Sequence, residues 1–374
     1  MSVIQSATPI LQFGTSRFLQ AHADLFLSET LAQGQALGPV TVVQSSGDAG
    51  RRGRLLALAL PAGFVVRVQG LENGQPVSFE TRVTSIRRAL TTAEDWPEVC
   101  RIAAQEAEII LSNTSDAGFA AQPADHAPDF DQAMSYPAKL TQLLRTRWQA
   151  GGRPLQVMPT ELIARNGDTL RNRVLDVAKP LDPGFADWVV AEVCFVSPLV
   201  DRIVSAPLEP AGVVAEPYAL WAIEACPGLV LPCHHPAVQV AADLDRIEML
   251  KLHILNLGHT WLVADWQARG GSETYVRELM ANPAIRARLE ALYTTEVLPG
   301  FAVHGIAEAP AYVAATLDRF ANPYLDRRLA DIAQNHAEKI RRRIGAFLTW
   351  SGVKAPQLRA LAQAVPDANP DPSD

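Results

Sequence analysis

A chain of 374 residues, 48% of them hydrophobic, can bury a full core without staples and has the length of two ordinary domains. Its net charge of −7 excludes a binder of nucleic-acid backbone, which needs a basic surface, and points to a small-molecule partner. Four scattered cysteines without a CxxC pair, no apolar run of ~20 residues and no signal-peptide pattern give the expectation of a cytoplasmic protein without a membrane span.

In chain order, residues 9–13 read as a short buried strand, broken by Gly14-Thr15-Ser16 and followed by helical spacing over 17–31. Residues 40–44 are a second buried strand, and segments 63–68 and 77–86 predict a hairpin closed around Glu72-Asn73-Gly74. A helix over 96–105 leads to a buried strand at 108–112, which Asn113-Thr114-Ser115-Asp116 ends. Helices at 137–149 and 168–178 flank a strand at 155–158, and 189–195 reads as a further strand. Strands alternating with helices imply a parallel sheet with crossover helices. Residues 205–245 carry mixed strand signals, and from Leu244 onward the spacing is helical. The expected architecture is α/β: a doubly wound Rossmann-type nucleotide domain over 1–243, then a mainly helical substrate domain over 244–350. A disordered tail is expected over 351–374, ending in the proline- and aspartate-rich VPDANPDPSD.

Gly14-Thr15-Ser16-Arg17-Phe18 sits where a dinucleotide fingerprint belongs, after the first strand and opening a helix. A helix N-terminus offers free N–H groups to a pyrophosphate, so Gly14, Ser16, Arg17 and Phe18 are candidate cofactor residues. The same residues also fit an ordinary strand–helix turn. Gln44 and Ser45 end the second strand, where NAD enzymes place an acid and NADP enzymes favour an arginine. Asp48 comes a few residues late and Arg51 and Arg52 follow, so the local residues leave NAD and NADP both open. Asn113 and Thr114 lie beyond the carboxyl end of another strand, placed to meet a cofactor or to close an Asx turn. Asn166 lies in MPTELIARNGD, between a strand and a helix, where Asn-Gly is also a common turn pair. The Cys/His cluster Cys233-His234-His235 is contiguous and flanked by prolines, a poor chelate, so no metal is expected in the chemistry.

The sharpest feature is KLHILNLGHT at 251–260. On an α-helix each residue advances ~100°, which puts Asn256 about 140° and His259 about 80° from Lys251, on one face. A lysine, an asparagine and a histidine on an otherwise apolar helix are expensive to bury without a purpose. A lysine partly withdrawn from water can act as a base near neutral pH. His253, on the opposite side, is expected to be structural.

Together these segments resemble the mannitol dehydrogenase family, the long-chain polyol and sugar-acid dehydrogenases. The likeness is ordered along about residues 10–345: QFGTSRFLQAHADLF, SNTSDAGF, MPTELIARNGDTLR, LVDRIV, EPYALW, KLHILNLGHT and RFANPYLDRRL. The spacing of Lys251, Asn256 and His259 is similar to the family's K-x4-N-x2-H motif. SYPAKLTQLL and DIAQNHAEKIRRRI are similar to its tagaturonate reductase (altronate oxidoreductase) branch. Ser16 stands where the fingerprint has a glycine, and the chain ends sooner than typical reductases of this branch, which implies a reduced substrate domain.

The resemblance implies an oxidoreductase with reversible hydride transfer between NAD(H) and a ketouronate/aldonate pair. Lys251 is the expected general acid/base, and Asn256 and Asn166 polarise the carbonyl. His259 orients a substrate hydroxyl, Asp201 is a candidate for tuning Lys251, and Lys339 and Arg343 are candidates for a substrate carboxylate. The alternatives are a polyol dehydrogenase acting on neutral sugars and a non-catalytic nucleotide-binding protein. A monomer or small homo-oligomer is expected.

Overall fold

A computed structural model describes residues 7–364. It divides into two compact units: 7–68, 78–215 and 219–244 form the first, and 69–77, 216–218 and 245–364 the second.

The first unit is built on a six-stranded sheet. From one edge to the other its strands are Ile86–Thr91, Val40–Gln44, Ile10–Phe13, Ile109–Ser112, Leu155–Pro159 and Val193–Phe195. Every neighbouring pair is parallel. Counted along the chain this is the order 3-2-1-4-5-6 of a dinucleotide-binding sheet. Successive side chains point to opposite faces, so a strand covered on both sides is largely apolar along its whole length. Ile10, Val42, Ile109 and Leu111 join one core, and Leu11, Phe13, Val43 and Ile110 join the other.

The structure departs from the expected elements in three places. The helix expected over 17–31 is two helices, Arg17–Ala21 and Ala23–Leu31, broken at His22, whose backbone leaves the helical region (φ −123°, ψ −100°). The second hairpin arm is Gln75–Val83, and Ile86–Thr91 is a separate edge strand of the parallel sheet. Of the strand expected over 189–195, only Val193–Phe195 is extended. Val189 belongs to the helix Pro183–Glu192, which Asp182 caps by accepting from the Gly184 and Phe185 amides at 2.7 and 3.1 Å.

The second unit is helical around a core that includes Leu257, Leu262, Leu289, Tyr293, Phe301 and Phe347. Three of its helical runs contain a π turn: Lys251–Asn256, Tyr293–Val297 and Ile340–Gly345. The tail expected to be disordered over 351–374 opens instead with the helix Pro356–Gln363. Leu358 is buried there, and Glu296 accepts from the Gln357 and Leu358 amides at 2.9 and 3.0 Å. Residues 365–374 lie outside the described residues. Among the described residues no helix is long and apolar enough to cross a membrane.

Candidate active site

The order of the six-stranded sheet reverses between Ile10–Phe13 and Ile109–Ser112. Beyond the carboxyl ends of these strands, where open α/β sheets bind their ligands, lies a cleft of about 390 Å³. Gly14, Ser16, Gln44, Ser45, Asn113 and Thr114 line it, together with Arg51 and Arg54. Gly14 has φ +110°, and a Cβ there would stand 2.4 Å from the Asn113 carbonyl oxygen, so only glycine lets the two strand ends come this close. Ser16 caps the short helix that follows, its Oγ accepting from the Leu19 amide at 3.2 Å. Gln44 spends its amide hydrogens on the Ser46 and Asp48 carbonyls, and its Oε1 is buried without a partner.

Two expected cofactor residues do not line this cleft. Arg17 is exposed, and the Phe18 ring stacks on His22 at 4.7 Å and packs against the core. The break at His22 shortens the helix to one turn and commits this ring to packing. Asn166 also reads differently in place. It is buried, its two amide hydrogens go to the Glu161 and Pro198 carbonyls at 3.1 Å each, and its Oδ1 accepts from the Gly167 amide. As placed it braces a loop and has no donor left to polarise a carbonyl. Asn113 likewise gives its amide hydrogens to Thr160, at 3.0 and 3.1 Å.

In the second unit the Leu257 amide bonds back to the Leu252 carbonyl, five residues away, inside the π turn Lys251–Asn256. Five-residue pairing widens the turn and brings residues i and i+5 closer in direction around the axis. Lys251 and Asn256 are such a pair, so they are nearer in direction than the α-helical spacing implies. Both are half-buried, whereas His259 is buried. The His259 ring is tied to the Leu255 carbonyl and leans on Phe320 at 4.3 Å, and its Nε2 is buried without a partner. Burial, aided by Arg327, Arg319 and Arg343, holds this imidazole well below the usual histidine range, so it is neutral and Nε2 is an acceptor. His253 stacks on Trp350 at 5.3 Å, with Nδ1 3.2 Å from the Arg343 carbonyl oxygen, and burial pushes it down to about 4.

The surroundings of His259 are cationic. Arg319 is neutralised by Glu216 through a buried two-point pair at 3.0 and 2.8 Å. Arg343 is half-buried and donates to neutral oxygens, the Asn256 carbonyl at 3.3 Å and Thr260 Oγ1 at 3.1 Å. It has no carboxylate partner among the described residues. Lys339 donates to the Ile332 carbonyl at 2.8 Å, and its charge acts on His336, as does that of Arg343.

Residues 8–229 match the model of the mannitol dehydrogenase Rossmann domain, and 243–365 that of the mannitol dehydrogenase C-terminal domain. The chain belongs to the mannitol dehydrogenase family. It is thereby an oxidoreductase. Among curated relatives, altronate oxidoreductase of Bacillus subtilis (strain 168) is 30% identical over 360 residues, covering 89% of this chain and 73% of the relative. Altronate oxidoreductase of Escherichia coli O1:K1 / APEC is 31% identical over 366 residues, covering 90% and 73%. Among solved structures, D-sorbitol dehydrogenase superposes with a TM-score of 0.78 at 18% identity, covering 91% of this chain and 75% of that one. Pseudomonas fluorescens mannitol 2-dehydrogenase, solved as a ternary complex with NAD and D-mannitol, gives 0.72 at 19%, covering 98% and 79%.

In this member of the mannitol dehydrogenase family two site residues escaped the sequence reading. Glu161 is buried beside the cleft-lining Thr114, accepting from Ser112 Oγ at 3.0 Å, the Thr114 amide at 2.8 Å and Thr114 Oγ1 at 3.1 Å. Burial raises its pKa, and these donors oppose the rise. An acid two residues past a buried strand, in MPTEL, was the available signal. Arg54 donates to the Thr15 carbonyl at 2.7 Å and to its hydroxyl at 3.2 Å, and nothing in its helical segment marked it. Asp201 ends the strand Pro198–Asp201 in the first unit, where its charge acts on buried His22.

Proposed function

We propose that this chain is an NAD(H)-dependent reductase that interconverts a ketouronate and the corresponding aldonate, with Lys251 as general acid/base. The observation that carries the acidic substrate is the cationic setting of His259: Arg343 has no carboxylate partner among the described residues and donates to the backbone carbonyl of Asn256. A substrate carboxylate there would gain charge-assisted hydrogen bonds, and it would fix which carbon is presented for reaction. The names of the altronate oxidoreductase relatives point the same way.

The cleft of the first unit fits a dinucleotide. The orphaned Gln44 Oε1 is an acceptor for a ribose hydroxyl, and glycine at position 14 keeps side-chain bulk out of the turn at the strand end. Gly14, Ser16, Gln44, Ser45 and Thr114 would hold it. When bound, its nicotinamide supplies or accepts the hydride. In ketone reduction Lys251 donates the proton that turns the developing alkoxide into the carbinol; in oxidation its amine takes that proton back. Asn256, brought closer in direction to Lys251 by the π turn, donates to the same oxygen and stabilises its negative charge. Neutral His259 accepts from a neighbouring substrate hydroxyl at Nε2 and sets the sugar's orientation. No step calls for a metal ion.

The test compares kcat/KM for tagaturonate or fructuronate with that for fructose, in wild type, Arg343→Ala and Lys339→Ala. A uronate preference that Arg343→Ala erases supports the reading. Equal or better turnover of fructose, untouched by either substitution, replaces it with a neutral-polyol dehydrogenase.

A further inference from the structure

The π turn at Lys251–Asn256 calls for a cause outside its own sequence. π turns are rare single-turn interruptions of α-helices, and nothing in Leu252, His253, Ile254 and Leu255 favours one over regular α pairing. Were the segment to relax to an α-helix, Lys251 and Asn256 would part by ~140° around the axis. A tertiary contact has to keep the wider turn.

That contact is visible on the buried side. Tyr293 Oη donates to the Ile254 carbonyl at 2.9 Å, an oxygen that also accepts from the Leu257 amide, so two donors converge on the middle of the turn. The tyrosine is fully buried and joins the core of the second unit. Its approach depends on Gly258, where a Cβ would stand 1.9 Å from the Tyr293 hydroxyl and 2.9 Å from the Phe320 ring. Tyr293 itself opens a second π turn, Tyr293–Val297. Arg343, from the third, meets the other end of the catalytic turn at the Asn256 carbonyl.

We propose that Tyr293 is a positioning residue: its hydroxyl, seated against Gly258 and bonded to the Ile254 carbonyl, holds the π turn and thereby keeps Lys251 and Asn256 turned toward the same side of the helix. The tyrosine touches no substrate and acts only through the turn. The inference rests on the assignment of Lys251 and Asn256 under the proposed function.

Tyr293→Phe deletes the one hydroxyl and keeps the ring, with Tyr324→Phe, at a partly exposed tyrosine, as control. The full chain is measured for kcat and KM on the best uronate or polyol, for dinucleotide Kd by titration calorimetry, for the thermal midpoint, and for amide hydrogen exchange. The expected result is a kcat lower by roughly 10- to 100-fold, as small misplacements of reacting groups produce, with dinucleotide Kd unchanged and faster exchange confined to about residues 252–260. Gly258→Ala, which pushes the hydroxyl off Ile254 while keeping it, should reproduce the loss of kcat and cost less when added to Tyr293→Phe than to wild type. A kcat near wild type with a lowered thermal midpoint overturns the proposal and leaves Tyr293 as packing alone. A wild type that turns over no uronate or polyol defeats the proposed function instead; the exchange pattern then decides, and unchanged exchange at the turn in Tyr293→Phe overturns the bracing role.

Discussion

Asp24 should make the stability of this chain fall as pH rises through the neutral range, and Asp24→Asn should abolish that fall. The carboxyl is buried against the central strand, its nearest donor is Gln12 Nε2 at a long 3.4 Å, and both Asp24 Oδ1 and Gln12 Oε1 are buried without partners. Burial pushes its pKa up to about 8, against the weaker pull of Gln12. In the unfolded chain the same group titrates at about 3.9. Between these values the native state keeps a proton that the unfolded state has released, so raising the pH favours unfolding. The stabilising contribution is complete below about pH 4, declines through neutrality, and is spent above about pH 8. Integrated from pH 6 to pH 9 it amounts to roughly 2–3 kcal/mol, at about 1.4 kcal/mol per decade of proton affinity. Asparagine keeps the shape, cannot ionise, and offers its amide to the orphaned Gln12 Oε1. Urea unfolding at pH 6 and pH 9, wild type against Asp24→Asn, measures the difference of differences. An equal loss in both proteins, or a wild type that is more stable at pH 9, would refute the reasoning.

Two further outcomes follow from the proposed site. Lys251→Ala should lower kcat by ~10²–10⁴-fold, the usual weight of a general acid/base, while dinucleotide Kd by calorimetry stays near wild type; a retained kcat removes Lys251 from the chemistry. Gly14→Ala should strain a backbone held at φ +110°, cost ~1–2 kcal/mol in urea unfolding and raise dinucleotide Kd, because the added Cβ displaces the Asn113 carbonyl. Unchanged Kd would mean that the cleft does not hold the cofactor.

Much of the fold was legible because the evidence for it is local. Short apolar runs such as VTVVQ and EIILS, set between helical segments, announce strands buried on both faces. The edge strand Ile86–Thr91 hid because Arg87 and Arg88 break its apolar run. Arg88 can be buried there because Glu106 and Glu98 pair with it and Thr8 accepts from it, and no periodicity reports such partners. Helix Pro183–Glu192 carried a readable Asp-Pro start, overridden by the β-branched Val189 and Val190 further along.

The amino-acid sequence alone determined the α/β class, the glycine turn after the first strand and the family spacing of Lys251, Asn256 and His259, since each depends on residues within a few positions of one another. Only the tertiary structure decided which of these groups keep a free hydrogen-bonding capacity. Asn166 loses its donors to two carbonyls, one of them 32 residues away, whereas Gln44 keeps an acceptor and His259 keeps Nε2. The π turn is of the same kind. Its five-residue pairing answers to a tyrosine hydroxyl 39 residues along the chain, and a hydrogen bond across that separation leaves no mark on the local pattern it reshapes.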